Sequence, residues 1–126
     1  MAKVLIVEDD LNLYTLYQTE FEFSGHATIN NNTGDGVNEL IKKEHPDIVL
    51  LDIMLPKKDG LTILSEIKAD QEIKDTPAIM LTNFGNEENV KKAIDTGAED
   101  FILKFKSVPS EVVAKVEEII KRKAAK

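Results

Sequence analysis

The stretch Ile48-Val49-Leu50-Leu51-Asp52 decides the fold class of this chain. A short apolar run bounded by turn-forming or charged residues is typical of a fully buried strand in a parallel sheet. A second run of this kind, Val4-Leu5-Ile6-Val7, ends at the acidic cluster Glu8-Asp9-Asp10, and two further runs end near Thr82 and Lys104. The sequence therefore predicts buried parallel strands that each end in polar or charged side chains.

Helical patterns alternate with these strands, so the sequence predicts five strand–helix repeats. Alternating strands and amphipathic helices pair in parallel through right-handed crossovers, which predicts a single α/β domain. The predicted strands are β1 (3–7), β2 (27–30), β3 (48–52), β4 (78–82) and β5 (100–103). The predicted helices are α1 (11–24), α2 (36–44), α3 (59–70), α4 (86–95) and α5, which starts between Ser107 and Pro109.

Local signals support these boundaries. Asp10 is a candidate N-cap of α1, because its carboxylate can accept the free amide protons of the first helical turn. Gly97 follows α4 and suits the left-handed residue that commonly ends a helix. The apolar positions predicted to form the core-facing side of α1 are Leu13, Leu16, Tyr17, Phe21 and Phe23.

Composition indicates one globular domain, residues 1–126, without an effector domain. The 126 residues are 42% hydrophobic, which is enough for a core of ordinary size. The formal charge of −7 argues against direct nucleic-acid binding, since phosphates would be repelled. No cysteine is present, which excludes disulfides and thiolate metal sites. No apolar run approaches the roughly 20 residues that span a bilayer, so we expect a cytoplasmic protein without membrane insertion.

The polar strand ends predict a binding site. In an open parallel sheet the carboxyl ends of the strands form the ligand crevice, so several acids, Thr82 and Lys104 are expected to meet at one edge. Crowded carboxylates repel one another unless a cation lies between them. Oxygen ligands of this kind suit a hard divalent ion, and the sequence therefore predicts a Mg²⁺ site.

The order Glu8-Asp9, Asp52, Thr82, Lys104 on successive strand ends resembles the receiver domain of bacterial two-component response regulators. Thr82 lies 30 residues after Asp52, and Lys104 lies 22 residues after Thr82, as the family pattern requires. The resemblance covers the whole chain and implies a chemotaxis-regulator-like, doubly wound (βα)5 domain with a flavodoxin-like sheet of strand order 2-1-3-4-5. The flanking motifs that match are His45-Pro46-Asp47, Leu51-Asp52-Ile53-Met54-Leu55-Pro56 with Gly60, Thr76-Pro77 and Gly97-Ala98-Glu99-Asp100-Phe101.

The resemblance implies roles for the acidic residues. Asp52 would be the phosphoacceptor, a carboxylate nucleophile that becomes an aspartyl phosphate. Asp9, Asp52 and the backbone carbonyl of Met54 would bind Mg²⁺ directly, and Glu8 would hold a metal-bound water. Phosphoryl transfer depends on positioning and charge neutralisation more than on acid–base chemistry. The chain would be a self-phosphorylating phosphoacceptor and not a turnover enzyme.

The resemblance also implies a switch and a set of partners. Thr82 would hydrogen-bond one phosphoryl oxygen, and Lys104 would pair with another. Thr82 and Phe101 would shift on phosphorylation and alter the α4-β5-α5 surface. The implied partners are a sensor histidine kinase or a histidine phosphotransfer protein, an unidentified downstream protein, and a second copy of the chain through α4-β5-α5. Residues 104–126 carry seven basic and three acidic side chains, which form either a solvated face or a docking face.

Three features depart from the family pattern. Phe105 stands where the family usually has a proline joined by a cis peptide bond. A cis bond without proline costs about 2.5–4 kcal/mol, so the sequence predicts either a trans bond with a reshaped loop or a strained bond. Asn83 stands where a small residue is usual, and it would either crowd the phosphoryl pocket or add a hydrogen bond. Met54 and Phe84 flank the path of the hydrolytic water, and their apolar side chains predict slow autodephosphorylation.

Other interpretations stay open at this point. In one alternative, Glu8-Asp9-Asp10 is no more than a cap at a helix N-terminus, where negative charge is favourable. In another, Phe101 is an ordinary aromatic residue of the core. A flavodoxin-like electron carrier needs a glycine- and hydroxyl-rich phosphate loop where the acidic cluster stands. A haloacid-dehalogenase-like phosphatase needs an aspartate in place of Met54. A pseudo-receiver, a protein-binding module that works without phosphorylation, is motivated by Asn83 and Phe105.

Overall fold

Five parallel strands and five α-helices alternate along the part of the chain that the computed structural model describes, residues 1–83 and 86–124. The strands are β1 Lys3–Val7, β2 Ala27–Asn31, β3 Ile48–Leu51, β4 Ala78–Thr82 and β5 Asp100–Leu103. The helices are α1 Leu11–Phe23, α2 Val37–Glu44, α3 Gly60–Ala69, α4 Glu87–Thr96 and α5 Pro109–Ala124, with a 3-10 turn at Lys104–Lys106. The strands are ordered β2-β1-β3-β4-β5, which confirms the predicted doubly wound architecture.

Two apolar layers cover the two faces of the sheet. The first layer packs strand side chains against α2, α3 and α4, and the second packs them against α1 and α5. Every residue of β3 and β4 is buried, because both faces of these central strands are covered. Because both faces of these strands are buried, their sequences are continuous apolar runs and not an alternation of apolar and polar residues.

Two apolar positions predicted for the core face of α1 were wrong. Tyr17 and Phe21 are buried, but Leu16 is 56% exposed and Phe23 is 91% exposed. Residues four apart lie on the same face of a helix, which brings Tyr17 and Phe21 together. Each residue turns the helix by about 100°, so a side chain one or two positions away points elsewhere. Apolar character alone therefore overestimated the buried face.

Polar caps hold the helices that border the site. Asp10 Oδ1 accepts hydrogen bonds from the amides of Asn12 (3.0 Å) and Leu13 (3.1 Å), which confirms the predicted N-cap of α1. Asp59 caps α3 through the amide of Leu61 at 2.7 Å. Gly97 ends α4 with φ of 119°, as expected for a left-handed C-terminal residue.

Basic side chains of α5 are partly paired within the domain. Lys115 contacts Asp100 at 3.2 Å, and Lys123 contacts Glu99 at 3.1 Å. These ion pairs tie α5 to β5 and to the residue before it, and they offset part of the positive charge predicted for this end.

None of the helices in the described residues combines the length and apolar character needed to cross a membrane.

Candidate functional site

Three carboxylates meet at the carboxyl ends of β1 and β3. Glu8 and Asp9 follow β1, Asp52 follows β3, and one oxygen from each lies within 4.8 Å of the other two. The two strands are neighbours with Val7 opposite Leu51, so the residues after them emerge side by side. Glu8 and Asp52 are buried, whereas Asp9 is exposed at the mouth of the crevice. The predicted convergence of acids is present.

Lys104 enters this cluster from the carboxyl end of β5. Its Nζ donates a hydrogen bond to Asp52 Oδ2 at 2.7 Å and forms an ion pair with Glu8 Oε1. No peptide bond among the described residues is cis, so the bond between Lys104 and Phe105 is trans and the chain continues into the 3-10 turn. Of the two alternatives predicted from Phe105, the trans bond is the one observed, and a 3-10 turn at Lys104–Lys106 follows it. The lysine reaches Asp52 without the usual proline.

Burial and charge act against each other in this cluster. Burial raises the pKa of Glu8, and the nearby Lys104 ammonium together with the amide of Asp10 partly offsets that rise. Burial alone would lower the pKa of Lys104, but its contacts with Asp52 and Glu8 outweigh burial, and its pKa lies above the usual value. Lys104 is therefore a firmly protonated counter-ion inside a negatively charged crevice.

Backbone contacts position the carboxylates. The Glu8 amide donates to the carbonyl of Asn31 at 3.0 Å, and the Asp10 amide donates to Glu8 Oε2 at 3.1 Å. Asp52 Oδ1 accepts from the amide of Ile53 at 2.7 Å, which holds the carboxylate at the start of its loop. The loop returns to α3 at Gly60, whose amide donates to the Ile53 carbonyl at 2.7 Å.

The other predicted residues surround the cluster at different depths. Thr82 is fully buried as the last residue of β4, opposite Leu103, the residue before Lys104. Phe101 is half-buried and packs against the layer formed with α2, α3 and α4. The Met54 side chain is 59% exposed in the loop after Asp52, and Asn83 is exposed. Phe84, the other predicted flank of the water path, lies outside the described residues.

The residues fit a hard divalent cation. Glu8 Oε1 is buried, and the ammonium of Lys104 lies against it. Buried carboxylates are costly unless positive charge compensates them, and one lysine faces three carboxylates here. Three carboxylates without any sulfur or imidazole ligand suit Mg²⁺ or a similar ion. The cluster combines a candidate cation site with a carboxylate held by a lysine.

Fold and site together define an α/β domain with an acidic crevice at the carboxyl edge of its sheet. The family model for the response regulator receiver domain matches residues 4–117 of this chain. The chain belongs to the response regulator receiver domain family of two-component systems. Membership of this family excludes the flavodoxin-like electron carrier and the haloacid-dehalogenase-like phosphatase considered from the sequence. A pseudo-receiver would share the family and stays open.

Individual relatives agree with the family. The chain is 34% identical to a probable transcriptional regulator, ycf27, of Guillardia theta over 120 residues, which are 95% of this chain and 46% of that protein. The BeF3-activated N-terminal receiver domain of RstA from Klebsiella pneumoniae is 32% identical with a TM-score of 0.86, covering 94% of this chain and 97% of that one. A CheY-like receiver domain protein from Methanospirillum hungatei is 26% identical with a TM-score of 0.89, covering 99% and 98%. The chain spans about half the length of the curated relatives it matches.

Sequence analysis did not indicate one residue that supports the site. The side chain of Asn30, near the end of β2, donates hydrogen bonds to the carbonyls of Ile6 and Glu8. Asparagine next to a glycine-containing loop is typical of turns, and that pattern gave the only sequence signal here. Which strand this amide would contact depends on sheet order, so no local pattern could have indicated it.

Proposed function

We infer that this receiver domain accepts a phosphoryl group on Asp52 in a Mg²⁺-dependent reaction. The donor would be a phosphohistidine of a sensor histidine kinase or of a histidine phosphotransfer protein. The observation that carries this proposal is the contact of Asp52 with Lys104 beside Glu8 and Asp9. In the reaction a carboxylate oxygen of Asp52 forms a bond to phosphorus while the phosphorus–nitrogen bond of the donor breaks. The bonding electrons leave with the imidazole nitrogen.

The acidic residues would hold the cation. Asp9, Asp52 and the backbone carbonyl of Met54 are the proposed Mg²⁺ ligands, with Glu8 next to them. Bound Mg²⁺ would neutralise negative charge on the oxygens of the transferred group, which is the main requirement of phosphoryl transfer. The Ile53 amide already holds one oxygen of Asp52, so the nucleophile is oriented before a donor arrives.

Two further residues would bind the phosphoryl group. Lys104 now contacts Asp52 Oδ2 and would pair instead with a phosphoryl oxygen, so that its positive charge stays in the crevice throughout. The Thr82 hydroxyl would donate a hydrogen bond to another phosphoryl oxygen. Movement of Thr82 and Phe101 would then alter the α4-β5-α5 surface, the proposed contact for a downstream protein or a second copy of this chain.

A mass measurement tests this proposal. The protein is incubated with acetyl phosphate, with and without Mg²⁺, and its intact mass is recorded. We expect one added phosphoryl group that requires Mg²⁺ and is removed by hydroxylamine, as an acyl phosphate should be. A folded protein that shows no adduct in either condition would favour the pseudo-receiver, for which Asn83 and Phe105 are the motivating residues.

Lys104→Met is expected to destabilise the metal-free protein by about 1–3 kcal/mol, because the buried carboxylates of Glu8 and Asp52 lose their counter-ion. Adding Mg²⁺ should increase the free energy of unfolding of this variant more than that of the parent, since the cation would restore positive charge to the crevice. Urea unfolding with and without Mg²⁺ measures both effects. Lys106→Met, at an exposed lysine on the same 3-10 turn, is the control and should change little. Equal stability losses in the two variants would contradict the proposed role of Lys104.

Autodephosphorylation is expected to be slow, on a scale of minutes or longer. The apolar side chain of Met54 is exposed in the loop after Asp52, and its thioether is only a weak hydrogen-bond acceptor for an incoming water. Replacing Met54 with asparagine should therefore speed the loss of phosphate, which can be followed by intact mass after removal of acetyl phosphate. Decay of the parent within seconds in Mg²⁺ buffer would refute this expectation.

A further inference from the structure

We propose that Asn30 is a positioning residue for the cation site, because its side-chain amide holds the peptide group that joins Glu8 to Asp9. The proposal rests on the function proposed above and adds a residue that lies on the edge strand β2, outside the acidic cluster. It concerns how the acids are held in place and adds no group that touches the phosphoryl donor.

The amide of Asn30 reaches across to β1. Its Nδ2 donates to the carbonyl of Ile6 at 3.0 Å and to the carbonyl of Glu8 at 3.2 Å. From the same region of β2, the Asn31 carbonyl accepts the Glu8 amide at 3.0 Å. Glu8 is thus bound to β2 through both its N–H and its C=O, the first by backbone and the second by the side chain of Asn30.

The course of β2 explains why a side chain is needed. In a continuing parallel ladder, backbone amides of the adjacent strand would donate to the Glu8 carbonyl. Here β2 ends at Asn31, and the chain turns because the amides of Thr33 (3.2 Å) and Gly34 (2.9 Å) donate to Asn31 Oδ1. These amides are therefore unavailable to β1, and Asn30 supplies the donor that the interrupted ladder lacks.

The bonded carbonyl belongs to the site itself. The Glu8 carbonyl and the Asp9 amide form one peptide group, which is planar and moves as a unit. Fixing its carbonyl therefore restrains the backbone from which both the Glu8 and Asp9 side chains leave. Metal sites depend on ligands held within about 0.5 Å, and loss of a supporting hydrogen bond typically weakens metal binding by about 10–100-fold.

Asn30→Val separates positioning from sheet stability. Valine removes the donor but favours strands more than asparagine does, which offsets part of the stability lost with the two hydrogen bonds, and Asn38→Val below controls for the remainder. We expect its Kd for Mg²⁺ to rise about tenfold, as measured by titration with MgCl₂ followed by backbone amide shifts. The Glu8 amide of the metal-free variant should also exchange with solvent faster than in the parent.

Asn38→Val is the matched control. Asn38 donates to the Glu66 carbonyl at 3.1 Å, a similar amide-to-carbonyl bond between α2 and α3 instead of at the site. Its Mg²⁺ affinity should remain within about twofold of the parent. Unchanged affinity in Asn30→Val, or an equal loss in both variants, would overturn the proposal. A parent that binds no Mg²⁺ would refute the metal site, while faster exchange of the Glu8 amide in Asn30→Val would still show that Asn30 helps to hold the end of β1 against β2.

Discussion

Asp52→Asn is expected to abolish the phosphoryl adduct, so that the intact mass stays unchanged with acetyl phosphate and Mg²⁺. The asparagine side chain has nearly the same shape, and its oxygen can still accept the Ile53 amide that Asp52 accepts at 2.7 Å. An amide is a poor nucleophile, however, and it offers neither the cation nor Lys104 a full negative charge. The loss should therefore be complete and should arise from chemistry, without misfolding.

Asp10→Asn is the matched control for that experiment. Asp10 directly follows Glu8 and Asp9 in the sequence but caps α1, with its Oδ1 bound to the amides of Asn12 and Leu13. Asparagine caps helices about as well as aspartate, so this variant should fold normally and retain the adduct. A phosphoryl group that persists in Asp52→Asn, and that peptide mapping places on another carboxylate, would contradict the assignment of the nucleophile.

Gly60→Ala is expected to destabilise the protein by about 3 kcal/mol or more and to disturb the site. A Cβ built on Gly60 would lie 1.8 Å from the carbonyl oxygen of Asp52 and 2.8 Å from the Cα of Ile53. Both are backbone atoms, so the loop after Asp52 would have to move. At an exposed helical position the same change would instead stabilise by about 1 kcal/mol, which makes the sign of the effect informative.

Urea unfolding and Mg²⁺ titration measure the two consequences of Gly60→Ala. The control is Gly25→Ala, where φ is 88° and, among the described residues other than the chain neighbours of Gly25, no atom lies within 4 Å of an added Cβ, so that backbone strain acts without a clash. That strain should cost about 1–2 kcal/mol and leave Mg²⁺ affinity unchanged. A Gly60→Ala variant as stable as the parent would show that the loop after Asp52 can move to accommodate the added Cβ. The close approach of α3 to Asp52 would then not be required for stability.

Local patterns predicted most of the architecture. The runs before Glu8 and Asp52 became β1 and β3, and the strand order followed from the family resemblance and is observed. Helix ends also followed local chemistry, since Asp10 and Gly97 cap the helices they were expected to cap. These features depend on hydrogen bonds within a few residues, so the sequence carries them directly.

The failures of prediction have a common cause. Leu16 and Phe23 were assigned to the core of α1, yet both are largely exposed. Burial depends on which side of a helix faces the sheet, and this is decided by the packing of α1 against β2 and α5. The contribution of Asn30 was invisible for a similar reason, because its partners lie 24 and 22 residues away on β1.

The sequence by itself determined the fold class, the family and which acids, hydroxyl and lysine stand at the strand ends. It could do so because buried parallel strands leave a strong apolar signal and because the family motif has fixed spacing. Only the tertiary structure decided that Lys104 reaches Asp52 and Glu8 across a trans bond, and that Asn30 completes the interrupted β1–β2 ladder. Those contacts join residues far apart in the chain, so their geometry exists only once the strands are side by side.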